Sequence, residues 1–419
     1  MDSPPDPVST HYDVVVIGAG AAGLVAAAEA AVRGRRTLLL EKNKRPGVKI
    51  LMSGGTRCNL THATDKWGIV KAYGEQGSFL HSALAALSPA DLVQMFEEEG
   101  VATKAEETGK VFPVSNKATD VLAALVRRFD RSGAELSLNE PVSNCSRVDN
   151  EFLVITRTRT LTCDALLLTV GGKSYPGSGT TGDGYAWAAG MGHTIIPPRP
   201  ALVPIITDAL WVKSLTGLTI PDVKVTVLQA SPEKKPLMSA RGSFLFTHFG
   251  LSGPVILDVS RAVTGYPNPR ELCLACDFLP AVMDSDLEEK LKQEAAADGK
   301  KQLVSLLSKH VPRRLAEELL ALCGLNSELR GAELPKRERA RLVAAIKQSV
   351  IPVSGTRGFE KAEVTAGGVS LREVDSRTMQ SKLVPGLYFA GEILDLDGPI
   401  GGYNFQAAFS TGVLAGKNV

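Results

Sequence analysis

Gly18, Gly20 and Gly23 stand at the spacing Gly-x-Gly-x-x-Gly, and a carboxylate, Glu41, follows about 20 residues on. Residues of these types in this order suit the holding of a dinucleotide. Gly18 permits a tight turn, Gly20 lets backbone N–H groups approach a pyrophosphate, and Gly23 allows a helix to pack closely on a strand. A helix that begins there offers unpaired N–H donors and a partial positive charge to the phosphates. Glu41 can accept hydrogen bonds from both hydroxyls of an adenosine ribose.

The flanking elements must position these residues. Tyr12-Asp13-Val14-Val15-Val16-Ile17 is a β-branched run of the kind buried on both faces of a parallel sheet. The Ala-rich segment Leu24 to Arg33 reads as the helix, Gly34 stops it, and Thr37-Leu38-Leu39-Leu40 is a second strand ending at Glu41. Gly177-Ser178-Gly179-Thr180-Thr181-Gly182 repeats the glycine spacing but does not leave a strand directly, and no strand with a terminal acid follows. It reads as a tight loop before a helix around Asp183–Ala189, with Thr181 or Asp183 as the N-cap.

A larger cofactor than a nicotinamide dinucleotide is indicated by what comes after Glu41. The Ser/Gly loop Ser53-Gly54-Gly55-Thr56-Arg57-Cys58-Asn59 can wrap a pyrophosphate and a flavin edge with Arg57 and Asn59. Leu161 to Val170, a polar strand start running into an apolar strand, returns the chain to the nucleotide sheet and ends on the pair Gly171-Gly172. Near the C-terminus, Leu387-Tyr388-Phe389-Ala390 leads to Gly391-Glu392 and then Asp395. Gly401-Gly402-Tyr403-Asn404-Phe405-Gln406 opens a last helix. A Gly pair at a helix start is a second terminus that favours negative charge, suited to a reduced isoalloxazine ring.

Two side chains could take part in proton transfer. His248 follows a strand and precedes a Gly/Pro turn, so it could face a flavin as acid or base, or serve as a structural imidazole. Tyr403 could present its phenol beside the flavin or wall the pocket. Cys58 reads as a small buried packing residue rather than a catalytic thiol. Cys273 and Cys276 form a C-x-x-C on a strand, where the two point to opposite faces, so neither a redox pair nor a metal site is expected. No metal is expected.

The chain has 419 residues with 47 Lys and Arg against 45 Asp and Glu, a formal net charge of +2. That balance carries no electrostatic footprint for nucleic acid or an anionic membrane, so a small-molecule substrate is expected and a nucleic-acid partner is not. No apolar run reaches the roughly 18 residues of a membrane-spanning helix. Six scattered cysteines and an acidic, Pro-rich start without a signal-peptide pattern imply a cytoplasmic protein. The middle of the chain alternates with period two, as in Val223–Val227, Ser243–Thr247 and Glu271–Cys276, with turns at Ser231-Pro232 and Tyr266–Pro269. From Asp284 to Ser349 the period becomes helical, through Leu303, Leu306, Leu307, Leu315, Leu319, Leu342 and Ile346. The fold class is therefore α/β: a Rossmann-like FAD-binding domain (12–194 and 363–419) with an inserted antiparallel β domain (195–283 and a return strand in 350–362) and a small helical subdomain (284–349).

Taken together, the blocks YDVVVIGAGAAGL, LEKN, KILMSGGTRCNLTH, LLLTVGGKSYPGSGTTGDGY, LFTHFGLSGPVIL, VTAGGVSL and PGLYFAGEILDLDGPIGGYNFQAAFSTG resemble the YhiN-like, aminoacetone-oxidase-type flavoproteins, the BaiN/RdsA family of NAD(P)/FAD-dependent oxidoreductases. The resemblance runs from Tyr12 to Gly416. It implies non-covalent FAD, with Gly18, Gly20, Ala22, Gly23, Glu41 and Lys42 at the ADP half and Lys49, Arg57, Asn59 and Gly171 at the middle. Gly391, Glu392, Asp395, Gly402, Tyr403, Asn404 and Gln406 would hold the flavin half. The family usually has Gly where this chain has Thr56, and often Asn where it has His62. It implies an oxidoreductase that passes a hydride through flavin N5 between a small organic substrate and NADH, NADPH or oxygen. A redox sensor without turnover and an RNA-modifying flavoprotein are the other readings.

Overall fold

Val14, Val15 and Val16 are fully buried, because strand β1 (Thr10–Ile17) has parallel neighbours on both sides. On one side lies β2 (Thr37–Leu40) and on the other the strand Thr160–Leu168. The full order is Glu135–Ser137, β2, β1, Thr160–Leu168, Glu151–Thr156, Val142–Val148. Leu387–Phe389 pairs in parallel with the apolar end of Thr160–Leu168, beside Leu166–Leu168, while the polar start of that strand faces the hairpin Val142–Thr156. Helix α1 (Ala21–Val32) connects β1 to β2, and its alanines Ala26, Ala27 and Ala30 are fully buried. These elements are the βαβ unit expected from the glycine motif, with Thr160–Leu168 returning to the sheet as its sequence pattern implied.

This computed structural model describes residues 10–230 and 235–419, which divide into two units. One comprises the described residues through Pro200 together with Glu363–Val419, and the other is Ala201–Ala362. The Pro-rich start (1–7) and the turn at Ser231-Pro232 lie outside the described residues. In the second unit seven antiparallel strands run in the order Ser349–Pro352, Leu272–Asp277, Thr219–Gln229, Pro236–Thr247, Gly250–Ser252, Ile205–Ile206, Gly355–Thr356.

One boundary differs from the sequence reading. The segment Ile195–Ala201, expected to open the inserted domain, pairs instead with Val364–Val369 in the first unit. Its prolines 197, 198 and 200 cannot donate to a ladder, so the segment suits a two-stranded pairing and carries no alternation signal. The helices Asp284–Ala297, Arg313–Leu322 and Lys336–Lys347 do not form a core of their own. Leu287, Leu315, Leu319, Leu342 and Ile346 share one apolar cluster with Val225, Phe244, Phe246 and Phe278 of the sheet.

Two further helices position the site. The short α2 (Val48–Met52) carries Lys49, and α3 (Lys66–Ala72) follows the two-residue strand β3 (Thr61–His62). The C-terminal helix Tyr403–Asn418 lies on α1. A Cβ on Gly412 would stand 2.5 Å from the Ala22 carbonyl oxygen, and one on Gly416 would stand 2.4 Å from that of Ala26. Position advances together on both helices, so they run in the same direction. Among the described residues no helix is long and apolar enough to cross a membrane.

Candidate functional site

The three glycines of the first turn have different reasons for lacking a side chain. A Cβ on Gly18 (φ +103°) would lie 2.8 Å from the Thr169 carbonyl, and one on Gly23 only 1.9 Å from that of Gly18. Packing within the protein accounts for both. Around Gly20 nothing comes within 4 Å of the added atom, and no side chain caps α1, whose N-cap it is. An uncapped helix start facing open space is what a pyrophosphate requires. Thr169, which the sequence reading missed, donates from Oγ1 to the Ile17 and Gly18 carbonyls at 2.9 and 2.8 Å and so holds the turn.

Glu41 is buried, and its two oxygens accept from the backbone N–H groups of Ala19 and Asn43, each at 2.9 Å. The carboxylate ties the glycine turn to the end of β2 and keeps lone pairs for ribose hydroxyls. Lys42 points elsewhere: its Nζ donates to Thr181 Oγ1 at 2.7 Å and Asp183 Oδ2 at 2.8 Å. Burial would raise the Asp183 carboxyl, but Lys42 and Thr181 outweigh it and hold it low. Asn43 donates to the Ser178 carbonyl at 3.1 Å. The second glycine motif is thus a loop fastened beside the ribose-side acid. The helix after it is Asp183–Gly190, and its N-cap is Gly182 (φ 83°) rather than Thr181 or Asp183, since the chain enters in a left-handed conformation. Gly171 (φ +74°) faces Thr180, whose Cγ2 would be 2.7 Å from a Cβ there.

At the middle, Lys49 and Glu392 meet across 343 positions of sequence. Lys49 Nζ donates to Glu392 Oε2 and to Ser174 Oγ, both at 2.5 Å. Glu392 Oε1 accepts from the Ser174 hydroxyl and from the Thr365 N–H. Ser174 and Thr365 lie within the blocks LLLTVGGKSYPGSGTTGDGY and VTAGGVSL that carry the family resemblance, but the sequence reading assigns neither a role there. Arg57 is held against the hairpin 103–113, with its guanidinium 3.9 Å from the Phe112 ring centroid and Nη1 2.7 Å from Glu106. Asn59 is 9 % exposed, and its Oδ1 has no hydrogen-bond partner in the protein. Thr56 adopts φ 68°, after Gly54 and Gly55 at 56° and 66°. Burial pushes the Cys58 thiol up to about 12, so it is no thiolate nucleophile at neutral pH.

The third cluster surrounds the start of the C-terminal helix. Its N-cap Gly402 (φ 94°) makes no side-chain cap, and a Cβ there would lie 2.3 Å from the Thr61 carbonyl and 2.8 Å from Asn59 Oδ1. Tyr403 stacks on His62 with centroids 4.7 Å apart at 20°, and its carbonyl accepts from the Tyr73 hydroxyl at 3.0 Å. Gly391 (φ +78°) comes so near Ala22 that a Cβ would lie 3.0 Å from Ala22 Cβ, and its N–H donates to Thr411 Oγ1 at 3.0 Å. The Asp395 N–H donates to the Val369 carbonyl, and the Asp395 carbonyl accepts from Gln76. The Asn404 amide orders its own loop, accepting from Gly398 N at 2.8 Å and donating to Gly398 O at 3.0 Å.

Gln406 corrects the sequence reading. One turn along its helix the side chain points inward, fully buried, donating to the Leu87 carbonyl and Ser410. It has no surface for a ligand to touch. His248 belongs to the second unit, exposed between the strands Pro236–Thr247 and Gly250–Ser252, with its ring edge-on to Phe249 at 5.1 Å.

The register of the two helices sets the scale of the site. Gly412 is level with Ala22, so Gly402 lies eight residues beyond the level of Gly20, or about 12 Å at the helical rise. Two uncapped helix starts that point the same way at this offset match a cofactor with a pyrophosphate at one end and a flavin ring beyond a ribityl chain. The residues fit FAD.

The fold and this site define an FAD-dependent oxidoreductase of the Rossmann class. The sequence profile described as "HI0933-like protein Rossmann domain" matches residues 12–418, and the chain belongs to that family. It is 35% identical over 405 residues to the ribosomal RNA dihydrouridine synthase of Escherichia coli (strain K12), covering 96% of each chain. To the protein of the same name from Haemophilus influenzae it is 34% identical over 413 residues, covering 96% of this chain and 97% of the other. To the 3-dehydro-bile acid delta(4,6)-reductase of Clostridium scindens it is 31% identical over 405 residues, covering 96% and 97%. Among solved structures, the 3-ketosteroid delta1-dehydrogenase of Sterolibacterium denitrificans aligns over 97% of this chain and 99% of that one, with a TM-score of 0.51 and 14% identity. That likeness is one of fold.

Proposed function

We propose that this protein is an FAD-dependent reductase that saturates a carbon–carbon double bond conjugated to a carbonyl, with uridine in ribosomal RNA as its substrate and NADH or NADPH as the donor. The observation that carries the reading is the full-length similarity to relatives whose names describe one kind of reaction. Forming dihydrouridine adds two hydrogens across the C5–C6 bond, which is conjugated to the C4 carbonyl. A delta(4,6)-reductase of a 3-oxo compound does the same to an enone or dienone. In such a reduction the far carbon of the conjugated double bond takes a hydride, the near carbon takes a proton, and the proposed donor NADH or NADPH is oxidised.

Bound FAD would supply the hydride chemistry. The chain's own residues bind, orient and balance charge. The uncapped start of α1 and Glu41 serve the ADP half. The Lys49–Glu392–Ser174 network fixes the middle, and the Gly402 helix start with Asn59 serves the pyrimidine edge. His248 and Tyr403 are the proposed proton donors.

The formal charge of only +2 is small for an RNA-binding protein, so the test measures the substrate directly. The protein is purified, its released cofactor identified as FAD, and bleaching followed anaerobically with NADH and NADPH. It is then incubated with unmodified ribosomal RNA, with nucleosides analysed by mass spectrometry for a product heavier by two hydrogens, and separately with a 3-oxo-4-ene steroid. Dihydrouridine supports the reading in full. Steroid reduction alone keeps the chemistry and removes the RNA. Failure of both nicotinamides to bleach the flavin overturns the reductase reading in favour of an oxidase.

A further inference from the structure

We infer that His62 is a positioning residue for the flavin, holding the Gly401–Gly402 turn and with it the uncapped start of the C-terminal helix. The inference rests on the reading that this helix start serves the flavin. The Gly401 carbonyl can only accept, so at 3.1 Å the His62 Nδ1 carries the proton and donates. The ring lies against Tyr403, the first residue of the helix, with 4.7 Å between centroids. Glycines shape the slot around it. A Cβ on Gly109 would stand 2.3 Å from His62 Nε2, and one on Gly401 would stand 3.3 Å from Nδ1. The residue before His62 closes the other side, since the Thr61 carbonyl would be 2.3 Å from a Cβ on Gly402. One hydrogen bond to Gly401 and one ring contact with Tyr403 therefore bracket Gly402 in a turn with left-handed angles, φ +127° and +94°, that opens the helix without a side-chain cap.

The positive end of a helix favours negative charge over neutral. If the turn is held, reduced FAD is bound more tightly relative to oxidised FAD than if the turn is loose. An Asn at position 62 can offer an amide N–H to the same carbonyl but has no ring to stack. A Leu offers neither the donor nor the flat contact.

The test is the flavin midpoint potential, measured by spectroelectrochemical titration of FAD-loaded wild type, His62→Leu and His62→Asn. The potential reports the ratio of the two FAD affinities without any substrate. For His62→Leu the ratio of reduced to oxidised affinity should fall about fivefold, a shift to a more negative potential, and His62→Asn should recover most of it. A folded His62→Leu protein with the wild-type potential overturns the inference, as does an Asn variant shifted as far as the Leu variant. If His62→Leu does not load FAD, the Asn variant decides alone: a potential near wild type supports the role, and a full fivefold change in the ratio overturns it. A wild-type potential no higher than that of free FAD would instead refute the placement of the flavin at this helix start. A higher one that ignores His62 refutes only the role of His62.

Discussion

Gly412 lies so close to α1 that a Cβ on it would stand 2.5 Å from the Ala22 carbonyl and 2.8 Å from Val25 Cγ2. This contact sets the offset between the two helix starts that would hold the cofactor. Gly412→Ala must push the helices apart, at about 1–3 kcal/mol, the usual cost of overfilling a packed contact. The FAD dissociation constant should rise along with the loss of stability. Gly190→Ala is the control, because nothing lies within 4 Å of its added carbon. Thermal unfolding and FAD titration of the two variants read the difference, and equal behaviour would remove the helix contact from the account.

Glu41 accepts from the N–H groups of Ala19 and Asn43 as well as being the proposed ribose ligand. Glu41→Ala leaves both donors without a partner next to the glycine turn. Hydrogen bonds to a charged group are worth about 1.5–3 kcal/mol, so FAD affinity should fall at least tenfold. Glu41→Gln, which keeps one accepting oxygen, should fall between. Fluorescence titration with limiting FAD checks the order, and an unchanged affinity in the Ala variant would exclude Glu41 from the site.

Thr56 holds φ 68° on an exposed loop, a conformation in which its Cβ is crowded. Its hydroxyl is directed at the Gly55 carbonyl, 2.6 Å away. Thr56→Gly should stabilise the protein by about 1 kcal/mol through relief of this strain. A gain in melting temperature with unchanged FAD affinity is expected. A lower melting temperature would show that the side chain makes a contact worth more than the strain.

What could be read from the sequence was local or tied to glycine. The run Val14–Ile17, the turn at Gly18–Gly23 and Glu41 lie within one βαβ unit, where spacing alone fixes the neighbours. The contact of Lys49 with Glu392 spans 343 positions, and hydrophobic periodicity carries no information about such a pair. Ser174 and Thr365 stand in blocks shared with the family, yet for the same reason their contacts to Glu392 could not be read. The resemblance places Gln406 at the flavin half, and position within a motif does not carry the helix rotation that turns that residue toward Leu87. Lys42 was assigned to the ADP half from its place in the motif, whereas its long side chain reaches Asp183 in the next loop.

Stability should depend on pH through Glu140. Burial acts to raise its carboxyl, but hydrogen bonds from Arg159, Ser137 and Thr156 with the Arg159 charge outweigh that and hold it at about 2. A carboxyl lowered in the folded state contributes stability that is complete above its unfolded value near 4.5 and is lost as pH falls toward 2. Arg159 is partly exposed, so the contribution is set at about 1–2 kcal/mol after allowing for solvent screening. Arg159→Met should remove most of this acid-dependent loss. Denaturant midpoints between pH 5 and 3 would show a flatter profile in the variant, and parallel profiles would assign the loss to other carboxylates.

The proton that completes the proposed reduction can be assigned by separating the two half-reactions. Hydride arrival from NADH or NADPH needs no acid on the chain, whereas saturating the substrate requires a proton at the α-carbon. His248 is exposed, edge-on to Phe249, and can exchange protons with water. The Tyr403 ring is clamped by His62 at the helix start. If His248 is the acid, His248→Gln should slow flavin reoxidation by substrate about 100-fold or more, with bleaching by the nicotinamide unchanged. Tyr403→Phe should then have little effect on either phase. The reverse pattern assigns the proton to Tyr403. Stopped-flow traces of the two phases decide between them, and a normal second phase in both single variants would remove both residues from proton transfer.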